Sequence, residues 1–150
     1  MKRNHLFLGL LVVAILSLSL AACKPTSKSY IKHFQSFVEK IEKNGASYTD
    51  EQWDKADTEF TGFLDERYKE VKETLTDEDR KMVGELAARY IKARWQSLGF
   101  VKALKWFKSE GEIIIGFLRE LGFDVCDLLE TWIEFDVCGL LGIDLDENGN

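Results

Sequence analysis

A chain of 150 residues with 45% hydrophobic side chains and a net charge of -6 suffices for one domain with a modest core and is too short for several catalytic domains. Its only proline is Pro25 and no stretch alternates as a long strand would, so the expected class is all-α. The charge excess sits in residues 122–150, with eight acidic side chains and no basic ones against 18 of each in 24–121; an acidic end of this kind repels phosphates and argues against a nucleic-acid partner.

Lys2 and Arg3 precede an apolar run from Leu6 to Leu20, which closes on Leu20-Ala21-Ala22-Cys23, the order of parts in a secretory signal. The run has about 15 residues, short of the roughly 20 that span a membrane. It resembles a bacterial lipoprotein signal, and the resemblance implies cleavage after Ala22 and a covalent lipid on Cys23. Residues 1–22 are then the signal and 23–29 a lipid-anchored tether, with a membrane as the first partner. Lys24 stands where an aspartate would mark the inner membrane, so the same analogy implies the outer membrane. No acidic cluster follows Cys23 to direct it to the surface, and the periplasmic and surface faces both stay open.

Taken in order, the mature chain predicts an up-down-up bundle of three helices over 30–98. The first runs from Ser29 to Lys43, with Tyr30, Phe34, Phe37, Val38 and Ile41 on one face, and Asn44-Gly45 stops it. Thr49 caps the second and Gln52 completes a capping box; Trp53, Ala56, Phe60, Phe63, Leu64, Arg67 and Val71 form its stripe. Thr76 opens the third ahead of Asp77, Glu78 and Asp79, and its buried face is Met82, Val83, Leu86, Ala87, Tyr90 and Ile91.

The pattern Ile31-x-x-Phe34-x-x-Phe37-Val38, then Tyr48-Thr49-x-x-x-Trp53-x-x-Ala56-Asp57-x-x-Phe60, then Leu75-Thr76-x-Glu78 resembles a helical domain of unknown function found in small Bacteroidota lipoproteins. The resemblance covers about residues 30–98. It implies a helical fold and carries no activity, cofactor or site residue with it.

Beyond Leu98 the residues speak alone. Gly99 bends or ends the third helix. Phe100, Val101, Leu104 and Phe107 continue an apolar stripe with Lys102 and Lys105 beside it and Trp106 at its edge, and Ser109-Glu110-Gly111 reads as a break. Glu112 to Leu121 reads as a short apolar helix containing Ile113, Ile114, Ile115, Phe117 and Leu118. After Gly122, Asp124 to Phe135 makes an amphipathic helix with Val125, Leu128, Leu129, Trp132 and Ile133 on one side. The additional helices therefore span 99–138, followed by an acidic flexible tail over 139–150.

Four features could carry chemistry, and each has a plainer reading. The surface Phe100, Leu104, Trp106, Phe107, Phe117, Leu128 and Trp132 could face a partner or lipid, although the same spacing serves helices packed on the bundle. Arg89, Lys92, Arg94, Lys102, Lys105 and Lys108 follow one another with no acid between and could meet lipid phosphates, a partner or the protein's own tail. Phe123-Asp124-Val125-Cys126-x-Leu128-Leu129 is repeated as Phe135-Asp136-Val137-Cys138-x-Leu140-Leu141. On one continuous helix Cys126 and Cys138 would lie about 18 Å apart against the roughly 7 Å limit of a bridge, so a disulfide requires the chain to turn back; otherwise both are small buried side chains. Asp144, Asp146 and Asn148 match the first half of a calcium loop, a weak site without the later ligands, or a solvated tail.

No catalytic constellation is expected. His33 is the one histidine after the signal, and no nucleophile elbow, zinc-ligand pair or phosphate-cradling glycine loop is present. The expected function is a non-catalytic, lipid-anchored envelope module that binds an envelope protein, needing no cofactor beyond the lipid on Cys23. The alternative is a membrane-active or lipid-binding protein using residues 100–133.

Overall fold

The computed structural model describes residues 24–134 and 136–142, without the side chains of Trp132, Val137 and Leu141. Leu20, Ala21, Ala22 and Cys23, with the rest of the signal, and Asp144, Asp146 and Asn148 lie outside the described residues. The elements are α1 (Ser27–Asn44), α2 (Asp50–Leu64), α3 (Glu66–Val71), α4 (Asp77–Leu98), α5 (Phe100–Glu120), α6 (Val125–Ile133) and α7 (Val137–Leu141). No strand occurs among the described residues, and the fold is the all-α bundle that the residue spacing predicts.

Three threonines start the three long helices of the predicted bundle. Thr26, Thr49 and Thr76 each accept a backbone N–H three residues on, from Ser29, Gln52 and Asp79, whose side chains in turn accept from the threonine N–H. Each box satisfies two donors that a helix start would otherwise leave bare. Helix α1 begins at Ser27, two residues before the expected Ser29, with Thr26 as its cap.

An aromatic cluster joins these helices. Phe34 stacks on Phe63 at 4.6 Å between ring centroids, Phe60 on Tyr90 at 4.0 Å, and Phe37 on Tyr90 at 5.5 Å. The Tyr30 hydroxyl donates to the Phe63 carbonyl at 2.9 Å, which gives its buried polar end a partner. At Asp65 the backbone leaves helical geometry and α3 begins, so Arg67 and Val71 do not extend one unbroken stripe. Val71 is buried, whereas Arg67 lies over the Phe63 ring at 4.1 Å.

The C-terminal third departs further from its predicted elements. Residues 109–111 do not break the chain, because α5 runs uninterrupted from Phe100 to Glu120. Ser109 donates its hydroxyl to the Trp106 carbonyl at 2.8 Å, and Gly111 is buried, its missing Cβ leaving room for the Phe107 ring that would stand 3.3 Å away. A glycine read as punctuation is here a packing residue. The bundle therefore has a fourth full-length helix in place of two shorter ones. Its return is placed by Tyr68 meeting Phe117 edge-on at 4.9 Å and by Lys72 bridging Glu120 at 3.2 Å.

Helix α4 is the centre of the fold, packed against α1, α5 and α6. Val83, Gly84, Leu86, Ala87, Ala88, Tyr90 and Ile91 are buried along it. Met82, expected in the core, is 45% exposed, on the side of α4 that also carries the exposed Lys81 and Glu85. Gly84 forms a notch for Phe123, whose ring would stand 2.1 Å from a Cβ there.

Candidate functional site

The most buried charge lies where α2, α4 and α5 meet. On α4 the apolar stripe Ala87, Tyr90, Ile91 continues one turn on at Arg94, which is only 7% exposed. Its guanidinium meets Asp57 of α2 through Nε at 3.1 Å and a terminal nitrogen at 2.8 Å. The Tyr90 hydroxyl donates to the other Asp57 oxygen at 2.7 Å. Arg94 also lies 4.7 Å from the Trp53 ring centroid and 5.9 Å from that of Trp106, within range of cation–π attraction.

Burial pushes the Asp57 carboxyl above its ordinary range, with the Tyr90 hydrogen bond and the Arg94 charge opposing. Burial also raises the Tyr90 hydroxyl, and the charge of Asp57 adds to the effect. Both Asp57 oxygens are occupied, so the arrangement holds three helices together and presents no free base to a substrate. At the surface, Arg89 grips Glu42 through Nε at 2.9 Å and a terminal nitrogen at 2.6 Å, and this hydrogen bond lowers the Glu42 carboxyl.

Grooves flank α1. One of about 700 Å³ runs between α1 and the α2–α3 segment, with Tyr30, His33, Lys40, Phe63 and Arg67 on its walls. Another, of about 680 Å³, lies between the ends of α1 and α4, beside Gly45, Arg89, Lys92 and Gln96. Among the described residues no group of three His, Cys, Asp or Glu side chains could hold a metal ion. No described helix is long and apolar enough to cross a membrane.

The apolar residues predicted to face a partner or lipid are dispersed. Phe107 and Phe117 are 1% and 4% exposed and belong to the core, which corrects the expectation of a single face. They sit on the side of α5 turned toward the bundle, and the periodicity that suggested a binding face is the periodicity of core packing. Trp106 and Leu128 are half-buried against the core, and Leu104 is half-buried. Phe100 remains 46% exposed. The side chain of Trp132 lies outside the described residues.

Cys126 and Cys138 are joined by a disulfide, with α-carbons 5.7 Å apart. The chain turns back between them, since Glu134 in the left-handed conformation closes α6 and the Asp136 carboxylate accepts from the Gly139 N–H to start α7.

These residues define a helical bundle organised by an internal ion pair. The chain belongs to the DUF6565 family, a domain of unknown function whose match spans residues 41–131. That span reaches beyond the 30–98 read from aromatic spacing, and takes in α5 and Cys126 while leaving out most of α1 and Cys138. No curated protein and no solved structure matches the chain. Sequence reasoning missed the Asp57, Tyr90 and Arg94 network as a unit; the signal for it was an arginine standing in register with the buried stripe of α4.

Proposed function

We propose that this chain is a non-catalytic, lipid-anchored module of the bacterial cell envelope, held in the outer membrane through Cys23 and presenting its helical surface to an envelope protein. The observation that carries the reading is the coincidence of two boundaries. The cleavage motif Leu20-Ala21-Ala22-Cys23 ends three residues before Thr26, the cap of the first helix. A signal cut there leaves only Lys24 and Pro25 between the lipid and the fold. The disulfide supports export, because such bonds persist in oxidising compartments. The non-catalytic part rests on the Asp57 carboxylate being fully engaged and on the lack of a motif for nucleophilic or metal chemistry in the sequence.

The alternative, in which residues 100–133 open to hold acyl chains, is disfavoured by burial. Phe107, Ile114, Phe117 and Leu118 are each at most 4% exposed, and exposing such side chains costs about 1.5–3 kcal/mol each. The test is metabolic labelling with palmitate, followed by fractionation, of the native chain and Cys23→Ser. Label and membrane association in the native chain, both lost in the variant, are the expected result; an uncut, unlabelled chain in the membrane fraction would refute the proposal.

A further inference from the structure

Helix α1 is the most basic of the described helices in an acidic chain. With Lys24 shortly before it, α1 carries Lys28, Lys32, Lys40 and Lys43 against Glu39 and Glu42. Helix α2, by contrast, sets Asp50, Glu51, Asp54, Asp57 and Glu59 against Lys55. On α1 the lysines stand on a ridge, 28, 32, 36, 40 and 43, whose steps of three and four residues keep it on one side of the helix. That side lies opposite the buried Tyr30, Phe34, Phe37, Val38 and Ile41. All five lysines are exposed, and none makes an ion pair among the described residues.

The carboxylates near this ridge are engaged elsewhere or outnumbered. Glu42 is gripped by Arg89, and Glu39 accepts from the Gln35 side-chain amide at 2.8 Å. From the neighbouring helices, Glu59 and Glu70 line the groove that also holds Lys24, Lys40 and Arg67, and Glu59 lies 4.0 Å from Arg67. Glu85 of α4 acts on Arg89. The exposed side of α1 carries no apolar side chain, so it suits a charged surface and offers nothing to insert.

We infer that the outward face of α1 is a docking surface for an anionic phospholipid bilayer, with the helix lying along the membrane and Lys28, Lys32, Lys40 and Lys43 on the headgroup phosphates. The inference rests on the anchoring at Cys23 proposed above and names what that anchor lays against the membrane. Only Lys24 and Pro25 separate Cys23 from the Thr26 cap, roughly 7–10 Å of extended chain, so α1 starts at the bilayer surface. The helix is about 27 Å long. Standing upright, it would hold only Lys24 and Lys28 within the Debye length of about 10 Å; lying flat, it brings all five lysines to the phosphates. A single acyl chain anchors reversibly, and a basic patch is the second signal that makes attachment stable. The short tether selects the bilayer over an acidic protein, because it already holds this face at the phosphates.

The experiment couples the chain from Cys23 onward, which retains every described element, through the Cys23 thiol to a maleimide lipid. The vesicles are phosphatidylcholine alone or with one-third phosphatidylglycerol, and Cys126 and Cys138 stay in their disulfide. Lysines are acetylated with a water-soluble active ester, and the rate at each is read by mass spectrometry. On the mixed vesicles Lys32, Lys40 and Lys43 should react about fivefold more slowly than on phosphatidylcholine, the worth of one lysine at an anionic surface. Added salt should restore their rates, and Lys102 and Lys105, on a helix packed against α4 and α2, should not change. Equal rates on the two vesicles overturn the inference, as does protection confined to Lys24 and Lys28, which means an upright helix, or equal protection of Lys102 and Lys105. Protection of the ridge by soluble polyglutamate but not by phosphatidylglycerol overturns it too, and assigns the face to an acidic protein. The thioether stands in for the natural lipid, so the two proposals fail separately. Equal rates beside intact palmitate labelling of the native chain defeat this inference alone, whereas absent labelling defeats the anchor at Cys23 and with it the reason for placing this face at a membrane.

Discussion

Arg94 is the one charged side chain that is buried among the described residues, and its effect on stability depends on Asp57 remaining opposite. Arg94→Met leaves the carboxylate buried and unpaired, a change that typically costs about 3–5 kcal/mol; urea titration of the variant at pH 7 measures it. Asp57 also makes stability depend on pH in a defined direction. Its carboxyl titrates above the ordinary 3.8 when folded, so the folded chain keeps this proton to higher pH than the unfolded chain does. Its contribution therefore favours folding most at low pH and declines as pH rises from about 4 through the folded value. Subtracting the profile of Asp57→Asn from that of the native chain between pH 3.5 and 6 should reveal this decline, and a difference that rises with pH would contradict the assignment. Glu42, lowered by Arg89, acts in the opposite sense and is common to both chains.

Among the elements, the helix starts were legible and the helix interiors less so. Thr49 with Gln52 and Thr76 with acidic neighbours are local signals, because a cap is a contact between residues three apart. Gly111 misled for the complementary reason: a glycine that ends a helix and a glycine that accommodates a ring of its own helix look alike until Phe107 is seen against it. Gly84 is the long-range version, since nothing near it in sequence announces Phe123. Gly84→Ala should force the Phe123 ring out of its notch and destabilise the chain by about 1–3 kcal/mol, as overpacking does, with the loss read as a lower denaturation midpoint. At Gly62, where nothing lies within 4 Å of an added Cβ, the same substitution should be neutral or slightly stabilising.

For the whole molecule, the disulfide closes the C-terminal end onto the bundle. A loop of 12 residues corresponds to about 3 kcal/mol in the chain-entropy account. Cys138→Ser is expected to lower stability by about 2–3 kcal/mol, with hydrogen exchange accelerated first in α7 and then in α6; unchanged protection in both helices would count against a structural role. Helix α6 covers the small-residue face of α4 through Val125 and Leu129, both 1% exposed, so loosening it exposes apolar surface. The family match ends within α6, and the second cysteine of the staple lies beyond it.

The amino-acid sequence by itself determined the all-α class, the caps at Thr49 and Thr76 and most of the apolar face of each of the first three long helices, because these depend on periodicities of three to four residues and on adjacent groups. It also stated the condition for the disulfide, that the chain must reverse between Cys126 and Cys138, without deciding whether it does. Only the tertiary structure decided that α5 is a single helix, that Phe107 and Phe117 lie inward, and that Arg94 finds Asp57. Those outcomes depend on which faces of distant helices come together, and an amphipathic stripe encodes that a face is buried without encoding what buries it.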